Sequence, residues 1–315
     1  MSELRETAHA RLTIAPLRPY TSAEELDELC PGDAETFACD FYVTGAEHGV
    51  AEPGGLRLGR ILNVDHHAPL ARMEDEITST MLAAEYLDAG GELEPDSRVV
   101  IHHTDCDSML SSAMLLGILP PHPDFVSASV CADHTGAAHP IADLLQALDD
   151  GRGGTRTPEQ YATSLRNLRA LLNGEPLEDE AVAALARRER RRAAAMALVD
   201  TRTFDIDAER LVAFAVSDGS IDSAFFPAQL RHVAVIMVAH RHDDVRWTVK
   251  LRLGGRRVPG LTLQTLGVTE WDPRFGGRWN AGSNGRGGGT SMRPRDYAER
   301  LRERVSEVVG KLGTT

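Results

Sequence analysis

A chain of 315 residues, 42% hydrophobic and 26% charged, can form one large or two ordinary domains and needs no disulfide or structural metal to hold a core. Its 34 basic against 47 acidic residues give a formal net charge of -13, a poor match for a protein that coats long nucleic acid by counterion release. The longest apolar runs, Ala193–Val199 and Val233–Ala239, fall far short of a bilayer span, and Met1–Glu6 lacks a basic stretch followed by an apolar one. The expectation is therefore a cytoplasmic protein without a membrane partner.

In chain order, Phe37–Val43 and Arg60–Val64 read as apolar strands, Ile77–Leu87 as a helix, Val99–Ile101 as a strand and Ser108–Leu116 as a helix. A strand over Phe125–Ala132 and a helix over Pro140–Leu148 continue this alternation, which predicts a parallel sheet covered by helices over residues 1–150. The pattern breaks at Asp150–Thr155, and residues 151–203 read as a helical connector in which Arg187–Arg192 forms a solvated face. Residues 204–315 turn strand-rich again, with Leu211–Val216, His232–Ala239 and Trp247–Leu253, before a glycine-rich segment from Gly276 to Gly289; they predict a second, smaller α/β domain. Basic charge is almost all arginine, Lys250 and Lys311 being the only lysines. Cys30, Cys39, Cys106 and Cys131 show no CxxC spacing and are expected to be free thiols.

The chemistry-bearing residues gather at predicted strand ends. Asp65-His66-His67 follows Ile61–Val64, and His102-His103-Thr104-Asp105-Cys106-Asp107 follows Val99–Ile101; Asp133 follows Ser129–Ala132, and Asp40 lies within Phe37–Val43. Polar side chains at the carboxyl ends of parallel strands line the ligand crevice of open α/β sheets, and mixed carboxylates and imidazoles there read as metal ligands. A lone Asp-His-His could equally be a helix start with solvated histidines. Asp33 competes with Asp40, His102 competes with His103, and His48, His122, His134 and His139 read as surface or supporting residues.

On these residues the sequence resembles the DHH phosphoesterase superfamily, named for the triplet that Asp65-His66-His67 reproduces. The family's histidine with Asp-x-Asp looks like His103-Thr104-Asp105-Cys106-Asp107, its lone upstream aspartate like Asp40 and its last aspartate like Asp133; the motif order along this chain is permuted. Gly276-Gly277-Arg278-Trp279-Asn280-Ala281-Gly282 looks like a shortened form of the glycine loop of the DHH-associated second domain, with Arg278 at its histidine position.

The resemblance implies a metal-dependent hydrolase of phosphodiester or phosphomonoester bonds in small nucleotides or short oligonucleotides, working through a hydroxide activated by two metal ions. Asp40, His66, His103, Asp105, Asp107 and Asp133 would hold the metal, with Mn2+ the expected ion and Mg2+ or Co2+ as substitutes. His67 would face the phosphate or protonate the leaving oxygen, and Asp65 would orient an imidazole. Gly276, Gly277, Arg278, Asn280 and Ser283 would bind a small phosphorylated substrate or short oligonucleotide in a centre between the domains, and a homodimer is an open assembly. Two alternatives stay open: a pyrophosphatase or exopolyphosphatase acting on phosphoanhydrides, and a nucleotide-binding regulatory protein without turnover.

Overall fold

A computed structural model describes residues 11–16, 21–67, 76–152, 154–201 and 203–312. Among these residues the chain divides into two compact units, one of Met1–Asp133 with Ala138–Arg188 and one of His134–Ala137 with Glu189–Thr315, so the expected connector over 151–203 is shared between them at Arg188 and Glu189.

The first unit is built on a sheet of six described strands, β1 (Leu12–Ile14), β3 (Thr36–Cys39), β5 (Val50–Glu52), β6 (Gly55–Leu58), β7 (Ile61–Val64) and β8 (Arg98–Ile101), in the spatial order β1-β8-β3-β7-β6-β5. The first four in space are parallel, and β7, β6 and β5 run antiparallel to one another at the edge. A short parallel pair, β2 (Thr21–Ser22) with β4 (Val43–Thr44), lies outside it.

Strand alternation decides which side chain meets which layer. Phe37, Leu62, Val64, Val99 and Ile101 pack one face against helices α2 (Ser79–Asp88), α3 (Cys106–Leu115) and α6 (Pro158–Asn173), through Leu82, Met109, Leu110, Ala113, Tyr161 and Leu165. Ala38, Ile61 and Val100 meet Leu26 of helix α1 (Ala23–Leu29) on the other face. Both faces are thus covered, which suits the continuous apolar runs of β3, β7 and β8. All ten residues of α3 are buried. Two of its serines return their hydroxyls to its own backbone, Ser111 Oγ to Asp107 O at 2.7 Å and Ser112 Oγ to Ser108 O at 2.6 Å.

The expected strand over Phe125–Ala132 is instead helix α4 (Pro123–Val130), followed by a π-helical turn over Cys131–Thr135. A short apolar run bounded by polar residues fits either state, and the start was written in His122-Pro123-Asp124: an N-cap accepting from Asp124 N, proline at the first helical position and an acid in the first turn. Helix α5 (Pro140–Asp150) follows, and the helical connector consists of two helices, α6 and α7 (Asp179–Asp200), separated where Gly174 adopts φ 68°.

The second unit holds a six-stranded sheet in the order β13-β14-β12-β11-β10-β9, from β9 (Asp205–Ile206), β10 (Val212–Ser217), β11 (Val235–Arg241), β12 (Trp247–Leu253), β13 (Gly276–Gly277) and β14 (Ala281–Ser283). Only β10 and β11 are parallel neighbours in it. The C-terminal part of α7 contributes Ala195 to a core with Ala213, Phe225, Phe226, Ile236 and Val238, and helix α8 (Pro294–Leu312) ends the described chain. The glycine-rich segment opens as the β13–β14 hairpin. A Cβ on Gly277, at φ 156°, would come within 2.3 Å of Ala281 O, so glycine is needed there for strand approach. Among the described residues no helix is long and apolar enough to cross a membrane.

Asn63, in β7, ties the end of β3 to its neighbour. Its side chain accepts from Val43 N at 3.0 Å and donates to Ala38 O at 3.2 Å and Phe41 O at 2.8 Å, clamping the backbone on both sides of Asp40. Replacing it in Asn63→Leu leaves one buried N–H and two buried carbonyls without these bonds and should cost about 2 to 4 kcal/mol of unfolding free energy. Chemical denaturation of the two proteins without metal should show the lower midpoint at an unchanged slope.

Candidate metal centre

Strand β3 lies between β7 and β8, so the loops leaving the carboxyl ends of these three parallel strands are neighbours whatever their order in the chain. Asp40 leaves β3, Asp65, His66 and His67 leave β7, and His102 to Asp107 leave β8. Asp40 adopts φ 60°, a left-handed conformation that aspartate tolerates better than most residues, and its N–H bonds Val64 O at 3.1 Å. That turn ends the strand and leaves the carboxylate buried, at 5% exposure.

Asp40, His66, Asp107 and Asp133 each bring one donor atom into a group whose members lie within 4.8 Å of one another, all four residues being buried. His66 Nε2 is its centre, 2.9 Å from Asp133 Oδ2 and 3.5 Å from both Asp40 Oδ1 and Asp107 Oδ2. Asp133 reaches it from the π-helical turn, a local widening often found at functional sites, and not from the strand end the sequence suggested.

The surroundings of each carboxylate differ. Asp107, in the first turn of α3, accepts from Ser79 N at 2.7 Å, Thr80 N at 2.7 Å and Thr80 Oγ1 at 2.6 Å, so it also closes the N-terminus of α2. Asp40 Oδ2 accepts from Ser108 Oγ at 2.6 Å, whereas its buried Oδ1 accepts no hydrogen bond. Burial, reinforced by Asp105, Asp107 and Asp133, pushes the Asp40 carboxyl well above the usual carboxylate range despite His67. Burial and Asp133 likewise raise Asp107 against the pull of His66. A donor set of three mutually repelling carboxylates around one imidazole, with an oxygen lacking a donor, fits a divalent cation of the oxygen- and nitrogen-seeking kind.

His67 stands beside this group. Its Nδ1 lies 2.7 Å from Asp65 Oδ1 and 3.5 Å from Asp40 Oδ1, its backbone N–H donates to Asp65 Oδ2 at 2.9 Å, and its side chain is 27% exposed, against 2% for His66. Burial would raise the Asp65 carboxyl, but the two imidazoles and the bonds from His67 outweigh it and hold Asp65 below its ordinary value. Asp65 therefore sits as an anion that orients His67.

Asp105 and His103 fall outside the four-residue group. Asp105 caps α3 by accepting from Ser108 N at 3.1 Å, and burial raises its carboxyl while His103 opposes the shift. His103 Nδ1 is 4.0 Å from Asp149 Oδ2. His102, its rival in sequence, is packed away: its ring stacks on Phe41 at 3.9 Å and its Nε2 lies 3.2 Å from Thr21 Oγ1.

Sequence reasoning missed the support of this loop. Asp149, at the end of α5, accepts from Thr104 N and Thr104 Oγ1 at 3.0 and 2.8 Å and takes Arg156 through both oxygens at 2.7 and 2.9 Å. No local pattern marks a residue whose partner lies 45 positions away. In the second unit, Asn280 is buried with its Nδ2 3.2 Å from His134 Nδ1, and Trp279 is a core residue at 2% exposure. Arg278 N bonds Ala281 O at 2.8 Å and Gly285 N bonds Ser283 Oγ at 3.0 Å, while Gly276 and Gly277 are exposed.

No family profile and no curated protein matches the sequence. Among solved structures, the chain is similar to the pGpG-specific phosphodiesterase PggH from Vibrio cholerae at 10% identity and a TM-score of 0.44, covering 70% of this chain and 82% of that one. An exopolyphosphatase-related protein from Bacteroides fragilis matches at 14% identity and a TM-score of 0.38, covering 92% and 76% of the two chains. The exonuclease RecJ bound to manganese matches at 14% and 0.38, covering 98% and 78%.

Removing one charge from the cluster separates its two consequences. Asp40→Asn should leave the metal-free protein at least as stable as the parent, because it relieves buried repulsion. Mn2+ at one hundred times its Kd should add about 2.7 kcal/mol to the stability of the parent protein and nothing comparable to the variant. Thermal melts with Mn2+ and with a chelator measure both effects.

Proposed function

We propose that this chain is a DHH-type, metal-dependent phosphoesterase that hydrolyses phosphodiester or phosphomonoester bonds of small nucleotides or short oligonucleotides. The observation that carries the reading is the buried group of Asp40, His66, Asp107 and Asp133 with His67 beside it, half-open and held by Asp65. His66 of the triplet and Asp107 of the Asp-x-Asp pair both belong to it.

Asp40, His66, Asp107 and Asp133 would hold the first divalent cation, Mn2+ or Mg2+, and Asp105 and His103 would extend the donor set toward a second. Such cations would neutralise the phosphate's charge and acidify the attacking water. Asp107 enters the group already fixed by the N-terminus of α2, and Asp40 by Ser108, so neither carboxylate has to be ordered on binding. His66 would give the cation an imidazole nitrogen, Nε2, from the centre of the three carboxylates.

His67 is assigned the leaving group. Asp65 accepts a hydrogen bond from Nδ1–H, which leaves Nε2 as the ring atom that would pass a proton to the departing oxygen. The exposure of this ring, unlike that of His66, supports contact with substrate.

The test is turnover with Mn2+ on a short RNA, a linear dinucleotide, a cyclic dinucleotide, pyrophosphate and polyphosphate. Cleavage of a nucleotide ester that His66→Ala abolishes is the expected result. His67→Ala should lower kcat by roughly 10²- to 10⁴-fold while keeping the stabilisation by Mn2+. Preference for pyrophosphate or polyphosphate would reassign the enzyme to phosphoanhydrides, and Mn2+ binding without turnover on any substrate would leave a regulatory binding protein.

A further inference from the structure

In the second unit the carboxyl ends of the parallel strands β10 and β11 carry polar residues that the chemistry above does not use. Ser217 closes β10 beside His240 of β11, and His240 lies opposite Thr248 of β12. Directly opposed residues share a sheet face, so the three form one row. Lys250, two residues along β12, shares that face and lies opposite Ser283 of β14. Its ammonium donates to Ser220 Oγ at 3.0 Å and Ile221 O at 2.7 Å, both in the loop that follows β10. His242 Nδ1 lies 2.9 Å from Thr248 Oγ1.

Charge and shape both favour an anion here. His240 Nδ1 is buried without a hydrogen bond, and burial together with Lys250 and His242 holds this imidazole below its ordinary pKa. Burial also lowers Lys250, with Asp222 the acid that opposes it. The positive charge of Lys250 thus reaches the His240 ring and disfavours a second cation there, in a chain whose net charge is -13. The row ends on Gly285, where a Cβ would come within 3.1 Å of Thr248 Cγ2 and 3.3 Å of Ser283 Oγ; glycine keeps a side chain from crowding these two residues. Carboxyl ends of parallel strands are where α/β sheets receive ligands.

We propose that Ser217, His240, Thr248, Lys250 and Ser283 form a binding site for a phosphate-class oxyanion, either free phosphate or the terminal group of a phosphomonoester. Lys250 supplies the charge, His240 a ring N–H, and the hydroxyls complete the donors around the oxygens. The site shares no residue with the carboxylate group and does not depend on metal.

The experiment uses the full-length protein in a chelator, so that phosphate cannot be held by a divalent cation. Inorganic phosphate should shift the His240 ring resonances saturably in NMR spectra of histidine-labelled protein, and Lys250→Met should weaken binding at least tenfold. Methyl phosphate run in parallel should reproduce the shift if the site accepts an ester. Sodium chloride at matched ionic strength producing the same shift, or an unchanged affinity in Lys250→Met, would overturn the site. Should Lys250→Met not fold, calorimetry on His240→Gln decides: lost phosphate binding supports the site, and unchanged affinity sinks it.

Discussion

Three carboxylates buried around one imidazole are the constraint on which the first unit is organised. Two unit charges about 4 Å apart interact with on the order of 4 kcal/mol at the effective dielectric of a protein site, a large share of the 5 to 15 kcal/mol by which domains are stable. Asp40, Asp107 and Asp133 fall in that range of separation. The surroundings answer with the positive end of α2 on Asp107, a serine hydroxyl on Asp40 and His66 among all three. A divalent cation offsets what these leave.

The sheet makes such crowding achievable. A carboxylate at the end of a central parallel strand has two loops as neighbours, one on each side, and the β3 position supplies this for Asp40. The chain visits β3, β7 and β8 in that order while space arranges them β8-β3-β7. Motif order and ligand geometry are thereby separable, because a crossover connection fixes which strands are joined and not which are adjacent.

Much of this was readable in the residues alone. Continuous apolar runs ending in Asp or His located β3, β7 and β8 and the polar ends that they carry, since strand length and burial on both faces leave a strong pattern. Asp133 was selected on the wrong element: Phe125–Ala132 is apolar enough for a buried strand, and the helix start at His122 and Pro123 outranked it. The clamp of Asn63 and the bonds from Thr104 to Asp149 were invisible, because they join segments distant in the chain through single polar side chains. The glycine segment was read for ligand approach, yet at Gly277 the absent side chain serves backbone pairing in a hairpin.

Asp107 has a consequence for what evolution or design can place at its position. Its two oxygens receive three donors from the start of α2 while one of them also faces His66. Asparagine would turn an acceptor into a donor against a backbone N–H, glutamate would carry the carboxylate beyond the reach of Ser79 and Thr80, and alanine would open both contacts at once. A scan of substitutions there would find helix docking and ion affinity failing together, so the position behaves as a joint between architecture and chemistry that neither can vary alone.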